Sequence, residues 1–181
     1  MKIGWWILSV FLVLIFLVVA FLYMSLAKTK VDFTNLNGSL INPSDSLSFD
    51  ETKMQFDERF VYYLLMSVKA YYLHNAPLSS DEPRIEILVG NRTYSAVVKN
   101  TEILIAERGI ADPDIRIVTD LDEAAKMVKY PGQVKESFAN GKSSIELLAS
   151  KTTLFSKGYL NLYTELTGKS ITGSIVRIYT N

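Results

Sequence analysis

The sequence has no cysteine, which excludes disulfide bridges, thiolate zinc sites and cysteine nucleophiles. It has one histidine, His74, so a first-row metal site would have to be built from carboxylates. The dense acidic groups are Asp112 with Asp114, and Asp120 with Asp122 and Glu123. They read more simply as a loop turn and as the first turn of a helix, where acids offset the helix dipole. His74 reads as a cation at a helix end for the same reason. Phosphate-binding loops, dinucleotide fingerprints and nucleophile elbows are missing. No catalytic set, metal or cofactor is expected, and the chain reads as a non-enzyme.

An excess of either charge is missing too. Lys+Arg and Asp+Glu each number 19 in 181 residues, so the chain lacks the electrostatic footprint of a nucleic-acid binder. Lys28 and Lys30 are too few to make a polybasic segment for anionic lipid. Internal repeats and low-complexity tracts are also lacking. Hydrophobic residues at 49% and charged residues at 21% fit a folded protein. The length allows one domain plus an anchor.

What is present first is a long apolar run. Ile3 to Ala27 carries no charge. At about 1.5 Å per residue the run makes a helix of roughly 37 Å, enough to cross a hydrocarbon core of about 30 Å. Trp5, Trp6 and Tyr23 sit where interfacial aromatics are expected. Ser25-Leu26-Ala27 resembles a signal cleavage site, but the apolar stretch exceeds the usual 7–15 residues of a signal core, roughly speaking. The sequence predicts a single transmembrane anchor over 1–27, a linker over 28–47 and an α+β domain over 48–181. The charge bias across the span is close to even. A short tail before it and a large domain after it suit an uncleaved signal-anchor, with the domain on the extracytoplasmic side of the cell membrane. Asn37-Gly38-Ser39 and Asn91-Arg92-Thr93 match the glycosylation acceptor pattern.

Beyond the linker, Ser48-Phe49-Asp50-Glu51 has the form of a capping box. It opens a helical period predicted to run over 50–74, with Met54, Val61, Leu64, Leu65, Val68, Tyr71 and Tyr72 on one face. The period then changes to two. Ile85, Ile87 and Val89, then Tyr94, Ala96 and Val98, then the run 102–107, predict three strands in an antiparallel meander. Ile115 and Ile117 mark a fourth strand. Asp120 caps a helix bearing Leu121, Ala124, Ala125 and Val128. A short helix with Val134 and Phe138 ends at Asn140-Gly141. Ile145 and Leu147 give a fifth strand, Thr153 to Leu166 a last helix interrupted by Gly158, and Ser174 to Tyr179 a β-prone tail. The fold class is α+β, a mostly antiparallel five- or six-stranded sheet packed by helices.

Three local features carry a family resemblance. They are the meander Ile85–Glu107, the segment Ala111-Asp112-Pro113-Asp114-Ile115-Arg116-Ile117 followed by a helix, and Val134-Lys135-Glu136-Ser137-Phe138-Ala139-Asn140-Gly141-Lys142 followed by a strand at Ile145. Over about 84–168 their order and spacing resemble the sterol-carrier-protein type-two family. The resemblance implies a five-stranded sheet covered by helices. It also implies a tunnel for acyl or isoprenoid chains between the sheet and the final helix. Ile103, Ile105, Ile117, Phe138, Leu147, Leu154, Phe155, Leu160 and Tyr163 are the residues that would line it.

Two readings of that apolar surface stand at this point. If the helices cover the sheet fully, it is an ordinary core. If the last helix packs imperfectly, the domain holds the apolar tail of a membrane lipid or isoprenoid beside the bilayer, with about 0.8 kcal/mol gained per buried CH₂. An adaptor with a solid core is the alternative. It would meet a membrane-protein partner through the 50–74 helix, whose Phe60, Tyr62, Tyr63, Tyr71 and Tyr72 offer aromatic surface suited to an interface.

Overall fold

Alternation of apolar and polar residues builds the sheet. The structure, a computed structural model, describes residues 40–169. The predicted anchor, most of the predicted linker and the predicted tail strand lie outside the described residues. Among those described, no helix is long and apolar enough to cross a membrane. Five strands, β1 (Arg84–Val89), β2 (Arg92–Lys99), β3 (Glu102–Ala106), β4 (Ile115–Thr119) and β5 (Ser144–Leu147), lie in the order β3-β2-β1-β4-β5. Three of the four pairings are antiparallel, whereas β1 and β4 run parallel, Ile85 facing Ile115 and Ile87 facing Ile117. The sheet is therefore mixed. The reason lies in residues 107–114, which return from the end of β3 so that β4 starts beside the start of β1. They pass over the outer face, where Gly109 comes close to Glu86 and Thr93.

The two faces of the sheet divide by chemistry. Ile85, Ile87, Val89, Tyr94, Ala96, Val98, Ile103, Ile115 and Ile117 are buried on the helical side. On the other side Arg116 donates to Glu86 at 2.7 Å and to Glu146 at 3.0 Å, tying three neighbouring strands across their polar face.

Six helices cover the apolar face: α1 (Phe49–Met54), α2 (Glu58–Ser67), α3 (Leu121–Lys129), α4 (Gln133–Ala139), α5 (Lys151–Ser156) and α6 (Tyr159–Thr167), with a 3₁₀ turn at Ala70–Tyr72. The capping box is formed. Ser48 Oγ accepts from the Glu51 amide and Glu51 accepts from the Ser48 amide at 2.7 Å. Asp120 caps α3, accepting from the Glu123 amide at 2.7 Å, and Gly141 takes the left-handed conformation after α4.

Two predicted helices are corrected. The single helix expected over 50–74 is α1, α2 and the 3₁₀ turn. The chain breaks at Phe56, which is buried and stacks on Phe60 with ring centroids 5.2 Å apart. Asp57 restarts the helix by accepting from the Arg59 amide at 2.9 Å, and Arg92 donates to the freed Phe56 carbonyl. A second break falls at Lys69, whose φ is +60°. Met54 and Tyr72, expected on the buried face, are exposed as a result, while Phe60 and Tyr63 belong to the core and not to an aromatic surface. The helix expected over Thr153–Leu166 likewise splits at Gly158, with φ +85°. Gly158 is the corner between α5 and α6.

Candidate ligand-binding cleft

The helices do not cover the sheet evenly. α6 packs chiefly on α4 and α5, whereas α2 packs on α3, the 3₁₀ turn and β3. Between α2 and α6 lies a seam. Its floor is Ile87 and Val89 of β1 with Ile117 and Thr119 of β4. Val61, Leu64, Leu65 and Val68 of α2 wall one side, and Val134, Phe138 and Leu166 the other, with Met127 at the edge. Its free volume is about 40 Å³, room for a few water molecules and far less than a long aliphatic chain. Among the described residues the cleft is too small to be the tunnel that the resemblance implies.

The lining is apolar because its one hydroxyl is turned away. Thr119 Oγ1 accepts from Ser143 Oγ at 2.8 Å, and Ser143 and Ser137 hydroxyls pair at 2.7 Å behind it. Buried hydroxyls satisfied in this way do not offer hydrogen bonds to the cleft.

At Val68 the cleft adjoins a second, larger opening of about 260 Å³, which Lys69, Tyr72, Asn161, Thr164 and Glu165 line together with Leu162. Lys69 Nζ bridges the seam to Glu165 Oε1 at 2.7 Å. The bridge holds the Glu165 carboxyl below its ordinary value, and Glu165 holds the Lys69 ammonium above its own.

A buried polar cluster anchors the far end of α6, and sequence reasoning missed it. Lys157, 1% exposed, donates to Asp114 Oδ1 and Oδ2 at 3.1 and 3.0 Å, to Asp81 Oδ2 at 2.7 Å and to the Glu82 carbonyl at 3.2 Å. Tyr159 donates to Asp114 Oδ2 at 2.9 Å, and the Arg84 amide donates to the same oxygen at 2.9 Å. Burial, then the Asp114 charge, pushes the Tyr159 phenol far up. Lys157 holds the Asp81 carboxyl low. Asp114 is therefore a buried hub and not the solvated turn its sequence context suggests. No local pattern marks it, because its partner Lys157 lies 43 residues away. Among the described residues no three His, Asp or Glu side chains come together as metal ligands.

Of the residues predicted to line a tunnel, Ile117 and Phe138 meet in the cleft. Ile103 and Leu154 are buried in the core, and Ile105 and Leu147 pack against it. Leu160 and Tyr163 are half-buried on α6. Phe155 is 72% exposed, because α5 turns Leu154 inward and the next residue lies about 100° round the helix. The α2 wall was not anticipated. Its signal was the apolar period at Val61, Leu64, Leu65 and Val68, which the sequence assigns to burial without saying against what.

No protein-family model matches the sequence, and no curated protein matches it. Among solved structures the chain is similar to a UbiJ-SCP2 ubiquinone synthesis protein, at 11% identity over 56% of this chain and 76% of that one, with a TM-score of 0.32. It is similar to sterol carrier protein 2 like 2 from Aedes aegypti, at 14% over 55% and 94%, TM-score 0.31. It is also similar to the apo form of sterol carrier protein 2 from Yarrowia lipolytica, at 12% over 72% and 98%, TM-score 0.30. At scores this low the chemistry of the cleft is read from this chain's own residues.

Proposed function

We propose that this protein is a membrane-tethered lipid-binding module, a carrier and not a catalyst, that takes an aliphatic lipid tail into the seam between α2 and α6. One observation carries the reading. Among the described residues the groups facing the cleft are apolar, and the cleft lies where α2 and α6 each pack chiefly on other elements.

The energetics favour opening. Each methylene taken from water gains about 0.8 kcal/mol, so a chain of about eight gains roughly 6 kcal/mol. The cleft residues uncovered when α6 moves are covered again by the guest. The uncharged run 3–27 supports a tether that keeps the module at its lipid source, with the domain on the extracytoplasmic side. Digestion by protease added to intact cells checks that side, and a fully protected domain would refute it.

Native mass spectrometry of the full chain released from nanodiscs tests the binding. A one-to-one adduct with a long-chain lipid is expected, and Leu166→Trp, which fills the cleft from α6, should abolish it while circular dichroism is unchanged. A chain that never carries lipid, with α6 amides as protected as those of β1, would overturn the proposal. The small resting volume favours a second reading, a scaffold with a solid core. That scaffold would instead bring down a stoichiometric membrane partner from mild detergent.

A further inference from the structure

The opening beside the cleft has the polar chemistry that the cleft lacks. Among its lining residues the charges cancel, because Lys69 and Glu165 are paired with each other. Lys135 approaches Glu165 Oε2 at 3.9 Å from α4, outside the lining. What remains is neutral and capable of hydrogen bonding. The exposed Asn161 side chain has no hydrogen-bond partner among the described residues, so its amide offers donors and an acceptor. Thr164 Oγ1 donates to the Leu160 carbonyl at 3.0 Å, which leaves the oxygen free to accept. Tyr72 closes one side. A ligand bearing a single net charge would find no free counter-charge here unless it broke the Lys69–Glu165 bridge. Hydroxyl groups, which both donate and accept, match Asn161 and Thr164 without disturbing it.

The position of Lys69 adds an independent observation. Its φ of +60° is the left-handed conformation that ends α2, and glycine is the residue that adopts it without strain. The chain carries a lysine there, and that side chain spans the seam at the border of cleft and groove.

We infer that the groove receives the uncharged, hydroxyl-bearing head of a single-chain amphiphile whose tail enters the adjoining cleft. This rests on the lipid-binding reading above. Leu162 in the groove and Leu166 in the cleft lie one helical turn apart on α6, so one molecule laid along that helix meets both. The head sets which lipid is taken, and the tail supplies affinity.

The test uses the full chain in phosphatidylcholine nanodiscs and three photoreactive amphiphiles that share one diazirine-bearing chain: a monoacylglycerol, a fatty acid and an alkyltrimethylammonium. Labelled peptides are mapped by mass spectrometry. The monoacylglycerol should label α2, α4 and α6 about tenfold more than either charged analogue, the ratio of roughly one lost hydrogen bond. Asn161→Leu, an exposed change remote from the core, should bring it down to their level. Equal labelling of these helices by all three, stronger labelling by a charged analogue, or an unaltered preference in Asn161→Leu overturns the head assignment while the tail site stands. Absence of labelling at α2, α4 and α6 by any of them overturns both.

Discussion

Lys69 shows how a single backbone torsion carries information that composition hides. A non-glycine residue in the left-handed region costs about 1–2 kcal/mol, and the solvent-screened bridge to Glu165 returns less than that. Lys69→Gly should therefore leave stability unchanged or raise it by about 1 kcal/mol, whereas Lys69→Ala keeps the strain and loses the bridge. Denaturant midpoints should rank glycine at or above lysine, and lysine above alanine. Lys157 is the opposite case. Removing one partner of a buried ion pair costs about 3–5 kcal/mol because the remaining charge is stranded, and Lys157→Met should show a loss of that size in urea. Tyr159 donates into the same cluster, and its phenol is raised far above the ordinary tyrosine value. A raised group contributes stability that is complete below its unfolded value and is lost above it. Stability should thus fall above about pH 10 by up to ~1.4 kcal/mol per pH unit. Tyr159→Phe should lack that part of the alkaline loss, at the cost of one hydrogen bond at neutral pH. Neither Lys157 nor Asp114 was legible in advance, since burial of a charge depends on partners distant in the chain.

Elements proved legible in kind and less so in extent. All five described strands and the cap of α3 follow from period and turn residues. The two long helices do not survive, for a definite reason. An amphipathic period reports which face is buried, and it stays in phase across Phe56–Asp57 and across Gly158 even though the hydrogen-bond ladder stops. At Phe56 the stacking on Phe60 and the edge contact with Tyr94, centroids 6.4 Å apart, outweigh continued helix. At Gly158 the left-handed corner lets Lys157 reach Asp114 and lets the His74 amide donate to the Lys157 carbonyl at 3.2 Å. An added Cβ would meet nothing nearer than 3.6 Å, so Gly158→Ala isolates the torsional cost. It should destabilise by about 1–2 kcal/mol, measured as a lowered midpoint, and not improve the helix as a substitution in mid-helix would.

At the scale of the whole described region, stability should be uneven. β1 lies at the centre of the sheet with β2 and β4 beside it, while α6 leans chiefly on α4 and α5 and its Glu165 is bridged to Lys69, just past the end of α2. Hydrogen exchange should open α6 before the sheet, and a bound long-chain lipid should slow α6 selectively. Acid should act through the depressed carboxyls of Asp81, Glu165 and Glu51. A depressed carboxyl contributes stability that is present above its unfolded value, about 4, and is lost as pH falls through the folded one. Midpoints should hold from neutral pH to about 4 and drop below it, with a shallower drop in Lys69→Ala.

The sequence by itself determined the layers of this protein: which strands alternate, which helix faces are apolar, where caps and turns fall, and that a long uncharged run precedes the domain. These are local properties, set by side chains one to four residues apart. Only the tertiary structure decided that β1 and β4 are parallel, that Asp114 holds Lys157 in the interior, and that the cleft is walled by α2. Those features join residues far apart in sequence, and their energies exist only once the chain has brought the partners together.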